Sequence, residues 1–374
     1  MTRFIRNDII SLTSDAPRLD LAESLGPDLR LGELLEPAAG ELRLGYATAA
    51  GDPALRAAIA AQHGVAADEV VVTVGGIHAL FLAGYILCGR GEEAVIATPV
   101  FPPARDTLLS VGARLRPLRL EFDAGYRLDP GRLAALLSPA TRLVSLASPQ
   151  NPSGVALPRA TLSEVLAQMT ERCPDAFLLV DETYRQAAYN DDAVAESAAT
   201  LGARVIVTGS LSKCHGAPGL RIGWAIVRDT ALREQMVLGK FNTVVANSTV
   251  DEMLGLRVLT EAQPIIAARR KHLGEGLART AAFLERHAAL VEWVRPDAGA
   301  LCCVRLRPDQ FDQAAVARFH AALKTLDARV GDGTWFGEEA RAFRLGFGLL
   351  PIPQLELALA ALSTALQQAQ RKAA

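Results

Sequence analysis

From about residue 67 to residue 210, short β-branched runs alternate with helical runs. Val70–Thr73 reads as a strand and Gly76–Leu87 as a helix. Val95–Ala97 reads as a strand, Ala104–Ser110 as a helix and Arg114–Leu118 as a strand. Leu143–Ala147 is a strand followed by a loop and a helix near Arg159–Glu171, and Phe177–Val180 and Val205–Thr208 are further strands. Such alternation confines the chain to a mostly parallel sheet with helices on both faces. Sites in such sheets open beyond the carboxyl ends of the strands, so the residues just after each strand carry the most weight. Ile222–Val227 reads as one more strand, with an antiparallel direction left open.

The pattern changes in the last third. A long Ala/Leu/Arg/Glu helix covers about Ile265 to His287. Short strands follow near Val291–Arg295, Leu301–Arg305 and Ala342–Gly346, with helices at about Gln313–Leu323 and Gln354–Gln368. At 374 residues the chain is long for one simple core. We expect a large domain over 45–262. Residues 1–44 and 263–374 should form a smaller α+β domain with an N-terminal arm, and Pro37-Ala38-Ala39-Gly40 reads as a connection.

Charge excludes some function classes. The formal net charge is −2 with both signs interspersed, so neither nucleic acid nor a membrane surface is an expected partner. No segment reaches the roughly 20 uninterrupted apolar residues of a membrane span. Cys88, Cys173, Cys214, Cys302 and Cys303 are odd in number and lack a Cys-x-x-Cys spacing. They read as buried reduced thiols, and a cytoplasmic protein without a metal site is expected.

The chemistry concentrates in Ser210-Leu211-Ser212-Lys213-Cys214-His215-Gly216-Ala217-Pro218-Gly219-Leu220-Arg221. A lysine between small hydroxyl residues and a Gly/Pro-rich turn can form a Schiff base with an aldehyde cofactor. The hydroxyls and the arginine can hold a phosphate on that cofactor. Only five of the 39 cationic residues are lysines, so a lysine kept here stands against the bias of the whole chain. A solvated loop lysine is the bland alternative.

Four other patterns bear on the same chemistry. Thr73-Val74-Gly75-Gly76-Ile77-His78 runs a strand through a Gly-Gly turn into a helix, where backbone N–H groups can approach a phosphate. His78 reads as a helix residue rather than a catalyst. Asn151, in Ser148-Pro149-Gln150-Asn151-Pro152-Ser153-Gly154, either donates to a phenolate-type oxygen or is a solvated turn residue. Asp181 ends the run Leu178-Leu179-Val180. Buried without a partner it would be costly, and a protonated pyridine nitrogen would satisfy it; a cap is the alternative. Tyr184 lies three residues on. Arg344, in an otherwise apolar strand, offers a planar fork for a carboxylate or makes an internal ion pair.

In order and spacing the chain resembles the class I/II aminotransferases, pyridoxal-phosphate (PLP) enzymes of fold type I, over about residues 20 to 370. The likeness rests on Tyr46, Gly51-Asp52-Pro53-Ala54-Leu55-Arg56, Gly75-Gly76, Pro99-Val100-Phe101-Pro102, Asn151-Pro152-Ser153-Gly154, Asp181-Glu182-Thr183-Tyr184, Ser210 to Arg221, and Arg344. The resemblance implies an α/β large domain with a mostly parallel, seven-stranded-type sheet. It implies Lys213 as the Schiff-base lysine, Asp181 on the pyridine nitrogen, Asn151 and Tyr184 on the ring oxygen, and Phe101 stacked on the ring. The phosphate would be held by backbone at Gly75, Gly76 and Ile77 with Ser210, Ser212 and Arg221. Tyr46 would reach the phosphate of the other subunit of a homodimer, and Arg344 would hold the substrate carboxylate. Ser24-Leu25-Gly26 corresponds to a strip that closes over substrate. Cys214-His215 departs from the usual pair after the lysine, and His215 reads as a packing residue.

The reaction so implied moves an amino group from an α-amino acid to a 2-oxo acid in ping-pong half-reactions. A β-lyase, decarboxylase, or cyclase or synthase of specialised metabolism remains open on the same scaffold, as does a non-catalytic ligand-binding module. Dicarboxylate-specific relatives place an arginine where Lys240-Phe241-Asn242 stands here. With Phe101 and Trp335-Phe336 adding apolar surface, aspartate is not the expected donor.

Overall fold

A computed structural model describes residues 7–13, 17–35, 40–190 and 192–370. Residues 1–6 and the Pro37-Ala38-Ala39 part of the connection lie outside the described residues. The arm contributes β1 (Leu19–Leu21). Then come β2 (Val70–Val74), β3 (Glu93–Thr98), β4 (Arg114–Arg119), β5 (Thr141–Ala147), β6 (Phe177–Asp181), β7 (Val205–Ser210) and β8 (Ile222–Val227). The last third adds β9 (Val291–Val294), β10 (Leu301–Leu306), β11 (Ala328–Asp332) and β12 (Ala342–Gly346).

β2 to β8 form a seven-stranded sheet in the order β2-β8-β7-β6-β5-β3-β4. β3 to β7 pair in parallel, and β8 runs antiparallel to both β2 and β7. The open direction of Ile222–Val227 is therefore antiparallel. β7 opens on Val205-Ile206-Val207 and β8 carries Trp224-Ala225-Ile226-Val227, and both strands are buried throughout, as helix-covered strands of such a sheet are.

The second sheet has five strands in the order β1-β11-β12-β10-β9. β1 pairs in parallel with β11, which packs the arm on this sheet. An ion pair between Arg329 and Asp20, 2.6 Å apart, reinforces the register. The helix Ala262–Arg286 precedes β9 in the chain.

Residues Cys303 and Ala342 of the small sheet join the apolar core that also holds Val95, Val144 and Val207 of the large one, so the two sheets share packing. All five cysteines are free and buried. Among the described residues, no helix is long and apolar enough to cross a membrane.

Candidate active site

The carboxyl ends of β2, β5, β6 and β7 bring the residues singled out above to one edge of the large sheet. At the end of β2 the chain turns at Gly75, where φ is +71°, and enters the helix Gly75–Leu87. A side chain at Gly75 would collide with the Arg221 guanidinium. The Gly75 N–H donates to the Arg221 carbonyl over 2.8 Å, which fixes the arginine against the turn. Arg221 itself has φ +51° and donates from Nη1 to Pro218 O at 2.9 Å. Ser210, the last residue of β7, accepts from the Ser212 N–H at 3.3 Å. The glycine-lined turn, two serines and an arginine thus form a cradle of donors. Ile77 is 41% exposed and apolar, so only its backbone could serve the cradle.

Asp181 ends β6 and accepts from the Thr183 N–H at 3.0 Å and the Thr183 hydroxyl at 2.6 Å. Both donors are neutral, and burial pushes the Asp181 carboxyl above its ordinary range. A cationic ring nitrogen would reverse that shift. Lys213 follows β7, and burial pushes its amine down to about 8, with Glu23 acting in the opposite direction. Asp181 and Lys213 both keep some surface open to the cleft although protein packs closely around them.

The arm closes the site. The Lys213 amine donates to Ser24 Oγ at 3.3 Å, and the Tyr184 hydroxyl donates to the same oxygen at 2.9 Å. Burial raises the Tyr184 phenol to about 12, so it is a neutral donor at any working pH. Arg344 is 1% exposed. Its Nη1 donates to Asn151 Oδ1 at 2.9 Å, and its Nε donates to Ala22 O at 3.1 Å; Nη2 donates to that carbonyl too. The guanidinium lies 4.8 Å from the centre of the Phe336 ring. Phe101 stands between β3 and the helix Pro102–Ser110. Arg269 reaches from the helix Ala262–Arg286 to Pro27 O, and lines a small cavity with Gly26, Tyr184 and Lys213.

Other residues fall elsewhere. Tyr46 is 91% exposed on its own chain. His78 accepts the Val74 N–H and bonds Thr243 Oγ1, the helix role read from sequence. His215 is buried beside Ser210 and Trp224, and burial depresses it to about 3. Lys240 is wholly buried in its own chain, and Asn242 donates to Leu238 O on its own helix. Neither offers a charge to a distal carboxylate.

Sequence reasoning did not single out the Ala22 carbonyl, the Thr183 side chain or Arg269. A backbone acceptor has no residue signature, and Arg269 looks like any helix-surface arginine.

The donor cradle, the uncompensated acid and the low-pKa lysine fit pyridoxal phosphate: Gly75, Gly76, Ser210, Ser212 and Arg221 suit its phosphate, Asp181 its ring nitrogen, and Lys213 its aldehyde. Comparison with known proteins agrees. The model of the family "aminotransferase class I and II" matches residues 7–362. The capreomycidine synthase of Streptomyces vinaceus is 32% identical over 327 residues, 84% of this chain and 79% of that one. The arginine–pyruvate transaminase of Pseudomonas aeruginosa is 34% identical over 188 residues, which span 48% of this chain and 47% of that enzyme. A solved PLP-dependent aminotransferase from Streptococcus suis shares the fold, with a TM-score of 0.88 at 23% identity over 98% of both chains. The chain belongs to the class I and II aminotransferases, enzymes that depend on pyridoxal phosphate.

Proposed function

We propose that this enzyme transfers the amino group of an α-amino acid to a 2-oxo acid. The observation that carries the reading is the convergence of Lys213, Tyr184 and Arg344 on two neighbouring arm residues, Ala22 and Ser24. A proton carrier, a neutral phenol and a carboxylate fork are thereby held within the reach of one small molecule. Arg344 binds the substrate carboxylate, with Asn151 holding the plane of the fork. Bound pyridoxal phosphate supplies the electron sink that acidifies Cα and stores the amino group between half-reactions. Lys213, with a pKa of about 8, is unprotonated often enough near neutrality to take the Cα proton and return it. Asp181 keeps the ring nitrogen cationic, and Tyr184 donates to the ring oxygen. The arm from Ala22 to Gly26 excludes water above them.

The same reading makes the enzyme a cytoplasmic homodimer. The adjoining helices Gly75–Leu87 and Thr230–Val244 expose Ile77, Tyr85, Leu238 and Phe241, an apolar face suited to a second copy. Tyr46, exposed on its own chain, then completes the partner's phosphate cradle. The large domain of this reading spans 45–262, and residues 1–44 and 263–374 make the small one. Aspartate is not the preferred donor, because Lys240 is buried and the carboxylates Glu23 and Asp28 stand near Lys213.

Similarity to capreomycidine synthase over most of both chains favours a second reading, cyclisation of an amino acid on the same cofactor. One assay separates the two. Cofactor-loaded enzyme mixed with a panel of neutral, aromatic and basic amino acids should release a 2-oxo acid in near-stoichiometric yield, with no ammonia or CO₂. A cyclic product that keeps its nitrogen would replace transamination by cyclisation.

A further inference from the structure

We propose that Tyr126 is a positioning residue for the substrate carboxylate, acting through a clasp that sets Arg344 from both sides. The inference rests on the reading of Arg344 as the carboxylate fork. Tyr126 lies in the loop after β4, the edge strand of the large sheet, and is fully buried. Its hydroxyl donates to Glu338 Oε1 at 3.0 Å and lies 3.1 Å from Cys303 Sγ. Both partners belong to the small sheet's side of the molecule, and each leads to Arg344 by one further step. Cys303 is the cross-strand partner of Arg344 in the β10–β12 ladder. Glu338 stands two residues from Phe336, the ring under the Arg344 guanidinium, and its N–H closes the turn on Gly333 O at 2.9 Å.

The backbone of Tyr126 reaches the opposite side. Its carbonyl accepts from Gln150 Nε2 at 3.2 Å, and the next residue, Asn151, accepts from Arg344 Nη1. One residue therefore touches Cys303, the cross-strand partner of the fork, and Gln150 and Glu338, which adjoin in sequence the groups that hold it. The rest of the loop holds it in place. Arg119 donates to Glu338 at 2.7 Å and to Gly337 O at 2.7 Å. Asp123 pairs with Arg305 of β10 at 2.6 Å, and the same guanidinium lies 4.1 Å over Phe122. Glu338 is nearly buried, and donors from Arg119, the Tyr126 hydroxyl and the Glu339 N–H satisfy its charge. A buried, fully bonded acid of this kind holds one geometry more firmly than apolar packing does.

The test uses cofactor-loaded Tyr126→Phe, which keeps the ring and the backbone carbonyl and removes only the hydroxyl. The readout is the affinity, by calorimetry, for an α-methyl amino acid, which binds but has no α-proton to lose. Affinity should fall about tenfold or more, with cofactor content unchanged. KM should rise for the amino acid and for the oxo acid by similar factors, because both present the same carboxylate, while kcat moves less. Glu338→Gln keeps an acceptor for the hydroxyl and should lose less than Glu338→Ala. Arg344→Lys serves as the control for the fork itself. If Arg344→Lys loses analogue binding and Tyr126→Phe keeps it, the clasp is overturned and the fork stands. If neither variant changes binding, the fork reading and the clasp fall together. A lower melting temperature in Tyr126→Phe with unchanged analogue affinity also overturns the clasp, since it leaves the tyrosine only a structural role.

Discussion

Arg344 shows why a buried charge at this position has to be functional or fully bonded. It sits in a strand with every residue buried, and burial works against its charge. Its nitrogens find Asn151 and Ala22, so an ammonium in its place would meet at most part of that geometry. Arg344→Lys should weaken amino-acid binding by about 1.5–3 kcal/mol, the range of a hydrogen bond to a charged group, with the cofactor still bound. Titration of the cofactor's absorbance with amino acid checks this, and unchanged affinity rules the role out. His215 makes a different prediction. Its ring nitrogens have no hydrogen-bond partner among the described residues, and burial holds it neutral to about pH 3, whereas an unfolded histidine takes a proton near 6.5. The unfolded chain therefore binds more protons between those values, and stability falls as pH drops from about 6.5 toward about 3. His215→Gln in cofactor-free protein should remove that share of the acid sensitivity and leave stability above pH 7 with no added slope. Denaturant melts across the range measure it, and a pH-independent difference between the two proteins refutes it.

At the scale of elements, what was legible followed from local pattern. β2 to β7 and the helix Gly75–Leu87 appeared in the sequence because β-branched runs and turn residues mark them within a few positions. β1 and β11 did not. β1 is three residues long, too short for any period, and its partner Ala328 lies 309 positions after Leu19 in the chain. The helix Pro53–His63 carries a local start signal, an Asp52 cap accepting from the Leu55 N–H with Pro53 at the first turn. The site was legible where side chains carry it, at Lys213, Asp181 and Arg344, and illegible where the main chain does, at Ala22. The phosphate turn combines both. Gly75 has φ +71° and no room for a side chain beside Arg221. Gly75→Ala adds a left-handed strain of about 1–2 kcal/mol and displaces the guanidinium. The variant should fold and lose cofactor on dialysis far faster than the parent. Equal retention would show that the turn does not hold the phosphate.

At the scale of the whole molecule, a single chain leaves Tyr46 and the apolar helix faces at Ile77, Tyr85, Leu238 and Phe241 in solvent. Both are resolved if two chains pair with the Tyr46 of one in the site of the other, and twofold symmetry then gives two equal sites. This arrangement has a consequence that a tyrosine serving its own site does not share. Lys213→Ala and Tyr46→Ala should each depress activity strongly when prepared alone. In a mixed dimer, the site that keeps Lys213 receives an intact Tyr46 from the Lys213→Ala partner, while the other site has neither. Unfolding and refolding an equimolar mixture should produce about half of the chains in mixed pairs, if pairing is random, and each such pair has one complete site. Activity should therefore rise to about a quarter of the parent's, well above the sum of the separate variants. Light scattering should report a dimer for every preparation. If the mixture is no more active than its parts while dimers form, Tyr46 serves its own chain, and a fully active monomer removes the shared site altogether.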